Sequence, residues 1–305
     1  MEWMIRTLVA PWIPVILMAA GIFIIYLVLS RSEKKLNHGK RSPFPREFLR
    51  SPGHTLYEQI EDLRLDFMGW FVAAMIWPPL LYTALLGQAY FNDRPLSPSG
   101  WVFYAIAGIG GIVVVARKAV QSFQRIRQLR LGYEGELGVG QELNQLMLHG
   151  FRVFHDFPGE QFNIDHIVIG KSGVFAIETK ARSKPNTGAG KADSTVICDG
   201  TRLIFPTWTE IGPMEQAERQ AAWLAKWLAS AVGEVVTVKA AVVIPGWFVE
   251  RKKIGNVLVF NAKESKQAIV DFRGPLLSDV MVQRIAHQVE GQCRDVAPRS
   301  FKAMR

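Results

Sequence analysis

Hydrophobic and polar positions change their rhythm along the chain. Pro11 to Leu29 is a run of 19 residues without a charge, and Phe67 to Phe91 is an uncharged run of 25. A third apolar run, from Leu96 or Trp101 to Ala116, is shorter. A helix crossing a bilayer needs about 20 apolar residues, so these runs predict transmembrane helices at 11–29, 67–91 and 97–116. From residue 132 onward the apolar positions recur at the spacings of an ordinary soluble α/β segment.

In that segment, Glu134 to Leu148 reads as a helix closed by His149-Gly150, and Phe151 to Asp156 as a strand. Asn163–Ile169 and Val174–Lys180 are two β-rich runs around a Lys171-Ser172-Gly173 turn, which predicts a hairpin. A loop from Ser183 to Ser194 leads to a second hairpin, Thr195–Cys198 and Arg202–Phe205, around Asp199-Gly200. Pro213 opens a helix to about Ala231, and Val235–Ile244 reads as a buried strand. Val257–Phe260 and Ser278–Gln292 complete the pattern as a short strand and a final helix.

The membrane reading has internal alternatives. A cleaved signal peptide competes for the first run, but its n-region has only Arg6 balanced by Glu2 and no small-x-small site follows. The basic stop Arg31, Lys34 and Lys35 favours a retained helix. Pro78-Pro79 lies within the second run, tolerable as a kink inside a helix bundle. Trp70, Trp77, Tyr82 and Tyr90 lie along it, suited to interfacial belts. In the third, Ala107, Gly108, Gly110 and Gly111 permit close helix approach, either within the chain or in a homo-oligomer. Phe67–Ala116 could also form a re-entrant hairpin without moving the C-terminal domain across the membrane.

Charge sharpens this picture. The formal net charge is +9, but residues 117–131 alone carry five basic side chains (Arg117, Lys118, Arg125, Arg127, Arg130) and no acid. Residues 132–305 hold 21 basic against 19 acidic side chains, so a high pI here is no argument for nucleic acid. The 31–66 loop has eight Lys or Arg and the 92–100 loop one. The positive-inside rule then places the N-terminus outside and the C-terminal domain in the cytoplasm. The 117–131 stretch reads as a basic helix continuing from the third span, contacting anionic lipid or, less simply, a nucleic-acid backbone. Cys198 and Cys293 are far apart and without metal-ligand spacing, as expected of reduced thiols in a cytosolic domain.

The candidate chemistry lies in the central hairpin. Side chains alternate along a strand, so Glu178 and Lys180 share one face, roughly 7 Å apart. Asp165 can reach the same spot from the neighbouring strand. Carboxylates of this kind hold a hard divalent cation through oxygen, and a lysine beside them orients or activates a water. An isolated Asp within Ile164-Asp165-His166-Ile167 suits a strand poorly. A cross-face ion pair would explain Glu178 with Lys180, but not the convergence of Asp165.

An Asp followed about a dozen residues later by Glu-x-Lys resembles the PD-(D/E)XK nuclease superfamily. The ordered set Gly135-Glu136, His155-Asp156, Ile164-Asp165-His166, Gly173-Val174-Phe175, Ile177-Glu178-Thr179-Lys180 and Pro213-x-x-Gln216 resembles its nuclease-related domain (NERD) family more closely, over about residues 132–260. The resemblance implies a restriction-endonuclease-like α/β fold, a mixed central β-sheet flanked by helices, after a three-helix transmembrane region. It implies domains at 1–116, 117–131, 132–262 and a C-terminal helical extension at 263–305.

It also implies catalytic roles for Glu136, Asp165, Glu178, Lys180 and Gln216. Metal ligands would be Asp165, Glu178, the Thr179 backbone carbonyl and Glu136, with Mg²⁺ or Mn²⁺ as cofactor. Lys184 and Lys191 are candidate phosphate contacts, or equally a solvated loop. Trp223 and Trp227 read as core aromatics rather than base-stacking platforms, and His155 and His166 as structural, since neither has zinc spacing. Ala181-Arg182 departs from the Asn and aromatic that often follow the family's lysine, which bears on substrate path.

The expected function is a membrane-anchored metal-dependent endonuclease acting on DNA at the cytoplasmic face, in defence against foreign DNA or its processing. The expected partners are DNA, the lipid bilayer and a second copy of the chain. The alternative is a non-catalytic, membrane-tethered nucleic-acid or partner-binding sensor.

Overall fold

A computed structural model describes residues 13–38, 40, 43–91 and 97–298. Tertiary contacts divide the chain into two units. Residues up to Pro45, with Glu61–Arg127 and the segment from Pro298, form one; Arg46–Ile60 and Gln128–Ala297 form the other.

Three helices are long and apolar enough to cross a membrane by length and composition. The first, α1 (Ile13–Asn37), runs on through the basic stop; Pro11 and Trp12 lie outside the described residues. The second, α2 (His54–Phe91), starts well before the expected Phe67 and contains Pro78 and Pro79. Ile22, Phe23, Phe71, Met75, Phe103, Ile106 and Ile109 are all exposed, an apolar surface of the kind water does not tolerate over a large area. Within this unit, Trp77 Nε1 donates to the Ala107 carbonyl at 3.3 Å, and Tyr104 Oη donates to Gln88 Oε1 at 3.0 Å. A Cβ at Gly111 would collide with the Trp77 indole, and one at Gly108 would touch Leu81. The glycines at these two positions therefore serve packing inside the chain.

One correction concerns the third helix. The helix expected to open at Glu134 does not begin there, because α3 runs unbroken from Pro98 to Asn144 and ends in a 3-10 turn, Gln145–His149. Its glycines do not interrupt it; besides Gly108 and Gly111, Gly135 and Gly140 are places where other parts of the chain come close. A Cβ at Gly135 would lie 2.6 Å from the Ala181 Cβ, and one at Gly140 would lie 2.5 Å from Pro52. A mid-helix glycine costs roughly 1 kcal/mol, which tight packing can offset.

The second unit is built on a five-stranded mixed sheet of order β10-β8-β4-β3-β2. Its strands are β2 (Arg152–Pro158), β3 (Asn163–Gly170), β4 (Gly173–Thr179), β8 (Val238–Val243) and β10 (Leu258–Phe260). β2, β3 and β4 form an antiparallel meander, while β8 runs parallel to both β4 and β10. The predicted hairpin is present: Gly170 pairs with Gly173 across Lys171-Ser172, and Gly173 has φ +137, which a side chain would resist. The buried strand begins at Val238 rather than the expected Val235, which is exposed. The predicted second hairpin joins β5 (Thr195–Cys198) to β6 (Leu203–Ile204). With β7 (Thr209–Glu210) and β9 (Phe248–Arg251) they make a separate four-stranded sheet.

Both faces of the main sheet are covered, so β4 reads as continuously apolar from Val174 to Ile177. On one face Ile167, Ile169, Val174 and Ala176 meet α4 (Gly212–Val232) and the late helix α5 (Asp279–Cys293). On the other, Val168, Phe175 and Ile177 meet Val139, Leu143 and Leu146 from the end of α3 and its 3-10 turn. The late helix contributes Ile285, Val289 and Cys293 to the main core, and residues 263–297 belong to this unit. The unit also includes a two-stranded ribbon, β1 (Phe48–Leu49) with β11 (Arg294–Val296), which the sequence reading did not foresee. The described cysteines, Cys198 and Cys293, are free and buried.

Candidate active site

The alternation of β4 sets the site. Glu178 follows Val174 and Ala176 onto the face covered by α4, while Thr179 follows Phe175 and Ile177 onto the opposite face. The strand ends at Thr179, and Lys180 comes immediately after it. The Lys180 N–H still donates to the Val243 carbonyl at 2.9 Å, which keeps the residue in line with the sheet. On β3, Asp165 is one step beyond the last pairing with β4, His166 to Ile177. Its Oδ2 accepts the Thr179 N–H at 2.7 Å.

Glu136 comes from α3, not from a helix opening. Gly135, with no Cβ, lets the helix lie against Ala181, next to Lys180, and so brings Glu136 inward. Glu136, Asp165 and Glu178 are all buried. Lys180 Nζ donates to Glu178 Oε1 at 2.5 Å and to Gln216 Oε1 at 3.2 Å. The sheet end therefore gathers three carboxylates around one ammonium.

That imbalance shows in the acidities. Burial, then the charges of Asp156 and Glu178, push the Glu136 carboxyl up to about 8 despite the opposing Lys180. Burial, then Glu178 and Glu136, hold Asp165 well above the usual carboxylate range, although the Thr179 N–H and Lys180 pull the other way. Without a compensating cation, protons stay on this cluster.

Residues 131–245 match the nuclease-related domain (NERD) family. The matched span includes Glu136, Asp165, Glu178, Lys180 and Gln216. No curated protein and no solved structure matches the chain. The NERD segment thus has a family relationship to nucleases, and its five expected catalytic residues are drawn together by four different elements, α3, β3, β4 and α4.

Whether this donor set suits a metal can be judged from its chemistry. Among the described residues, no three His, Cys, Asp or Glu side chains form a ready cluster for a metal ion. The Glu178 oxygens are held instead by Lys180 and by Gln220, whose Nε2 donates to Oε2 at 2.8 Å. The donors are nevertheless hard oxygens in negative excess. Glu136 Oε2 and Gln220 Oε1 are buried with no hydrogen-bond partner. Such groups fit a divalent cation that prefers oxygen.

The remaining expectations divide. Trp223 and Trp227 pack on Phe157, with ring centroids 6.2 and 5.1 Å away, as core aromatics do. Lys184 and Lys191 are exposed and make no bond to the carboxylates; Lys191 sits 5.0 Å above the Phe248 ring. His155 and His166 form a buried chain on the far face of the sheet. His155 Nε2 meets Asn144 Oδ1 at 3.0 Å, the two Nδ1 atoms are 2.8 Å apart, and His166 Nε2 meets Thr179 Oγ1 at 3.1 Å. With the Asn144 oxygen as acceptor, each ring donates once and accepts once, so both imidazoles are neutral. Burial lowers His155 to about 4, and burial, then His155, lowers His166 well below its ordinary value.

Two participants were missed. Gln220 was visible in sequence only as a helical neighbour of Gln216, and its i,i+4 spacing from that residue was the available signal. Asp156 belonged to the family pattern but had no role assigned. It is fully buried, with a left-handed φ of +50, rare for a residue with a side chain. This twist breaks the alternation of β2, so that Phe154 and Phe157, three apart, enter the same core.

Proposed function

We propose that the chain is a membrane-anchored, metal-dependent nuclease that hydrolyses phosphodiester bonds of DNA at the cytoplasmic face. The observation that carries this is the burial of Glu136, Asp165 and Glu178 around the single Lys180 at one sheet end, within a NERD segment. The order Asp, then Glu-x-Lys, is that of PD-(D/E)XK nucleases. Asp165, Glu178, Glu136 and the Thr179 carbonyl would hold Mg²⁺ or Mn²⁺. When bound, the cation supplies Lewis acidity, activating the attacking water and offsetting charge that builds on the phosphate. Lys180, steadied by Gln216, presents its ammonium to that water or to the phosphate oxygens. Lys184 and Lys191 are free to contact the substrate backbone.

The three apolar helices would anchor this activity in the cytoplasmic membrane, with the N-terminus outside and Gly110, which has open space around its Cα, available to a second copy. Such a location suits defence against incoming DNA, or its processing. Survival of injected DNA in expressing cells whose lysate cuts it would remove the defence role.

The decisive assay uses the full-length protein in detergent, because Arg46–Ile60 is part of the same unit as the NERD segment. Wild type and Lys180→Ala are incubated with supercoiled, linear and single-stranded DNA and with RNA, in Mg²⁺, Mn²⁺ or EDTA. Cleavage should require metal and fall by about 10²–10³-fold or more in Lys180→Ala. Binding without cleavage by the wild type would replace this reading with the sensor, which the direct Lys180–Glu178 pairing would then explain.

A further inference from the structure

Among the described residues, the buried side-chain atoms left without a hydrogen-bond partner are Glu136 Oε2 and Gln220 Oε1. Both belong to groups around Glu178. A buried acceptor with no donor is costly, and native proteins keep few of them. Gln220 is 3 % exposed, and its orientation is fixed. Its Nε2 donates both to Glu178 Oε2 at 2.8 Å and to the Asn163 carbonyl at 3.1 Å, two acceptors that exclude the flipped amide. The oxygen is therefore the end left over. One amide thus ties together the carboxylate of β4 and the start of β3, two residues before Asp165, from a helix that also carries Gln216.

We propose that Gln220 is a positioning residue of the cation site: its Nε2 sets the Glu178 carboxylate against the Asp165 strand, and its Oε1 is a neutral acceptor for a hydrated divalent cation. This rests on the nuclease reading of the same site and adds to it a residue that the sequence pattern does not reach. Gln216 and Gln220 divide the work along one helix face. Gln216 holds the lysine, and Gln220 holds the carboxylate that the lysine faces.

The test is the thermal shift that Mn²⁺ produces in the full-length protein, measured without nucleic acid. A merely structural glutamine would change the melting temperature of the metal-free protein and leave the Mn²⁺-induced shift as it was. In Gln220→Met, which keeps length but loses donor and acceptor, the Mn²⁺ midpoint should move to about 10–100-fold higher concentration, as when an outer-sphere partner is removed. In Gln220→Glu, equal in shape, the added carboxylate should enlarge the Mn²⁺-induced shift. The Glu variant alone decides the matter if the Met variant does not fold. A wild-type shift that both variants, or the Glu variant alone, reproduce unchanged overturns the role of Gln220 and leaves the nuclease reading standing. No Mn²⁺ shift in the wild type overturns both; DNA cleavage in EDTA would then separate a metal-free nuclease from an inert protein.

Discussion

Two buried acidic centres sit in the same unit and are built on opposite terms. Asp156 is fully buried, yet both its oxygens are satisfied: Oδ2 by Arg50 at 2.9 Å and by the Thr55 N–H and hydroxyl, Oδ1 by Asn163 at 2.7 Å. Arg50 then reaches Asp295 in a two-pronged pair at 2.8 and 2.7 Å, tying the Arg46–Ile60 segment to β11. The Asp295 hydrogen bond, above the other contacts, raises the Arg50 pKa further. The Glu136, Asp165 and Glu178 cluster is the reverse, with three acids, one ammonium, raised acidities and an orphaned oxygen. A saturated buried charge fixes structure. An unsaturated one raises acidities and leaves a buried acceptor unpaired, which costs stability.

The contrast predicts opposite signs for mutation. Removing Arg50 strands a buried Asp156, and breaking such a pair costs about 3–5 kcal/mol. Arg50→Ala should lose about that much in urea unfolding while keeping its Mn²⁺-induced thermal shift. If it loses the shift and not the stability, the two centres are not separate.

Glu136→Gln should do the reverse at high pH. The folded Glu136 pKa, about 8, lies above its ordinary value, so its stabilising contribution is full below about 4.5 and is lost as pH rises through 8. Taken alone, a shift from 4.5 to about 8 amounts to about 4–5 kcal/mol at most. The metal-free wild type should therefore weaken relative to Glu136→Gln from about pH 4.5 to 8 and level off above that, as read by melting temperature. Equal pH profiles for the two proteins would show that Glu136 is not the strained carboxyl.

The satisfied centre was the harder of the two to read from sequence. Asp165, Glu178 and Lys180 announce themselves because strand alternation and a short motif are local properties of the chain. Arg50 and Asp295 are 245 positions apart, and nothing in either segment's pattern shows that they meet. The same is true of the late helix: its apolar stripe was visible, but not that Ile285 and Val289 enter the core of the NERD sheet. Glu136 was found through the family pattern but misplaced at a helix start. Gly135 looks like a boundary until Ala181 is seen against it. Gln220 eluded the reading for a related reason: a glutamine's worth depends on which acceptors surround it, and these come from two strands.

The smallest expected effect tests the far face of the sheet, where the histidine chain is as saturated as Asp156. His155 is depressed to about 4 by burial, so its contribution to stability is full above its ordinary 6.5 and is lost as pH falls toward 4. Glu136 works in the other direction over an overlapping range. Between pH 4.5 and 6.5 a rise in pH gains stability from His155 and loses it from Glu136, with His166 and Asp165 reinforcing their respective partners. The wild-type melting temperature should then be nearly flat in this window, a net change of roughly 1 kcal/mol or less. Each variant exposes the slope that the other residue hides. Glu136→Gln should gain stability from pH 4.5 to 6.5, and His155→Gln should lose it continuously from 4.5 to 8. A His155→Gln profile that still follows the wild type would mean that the histidine chain tolerates its proton, and that the two faces of the sheet end are not balanced against each other.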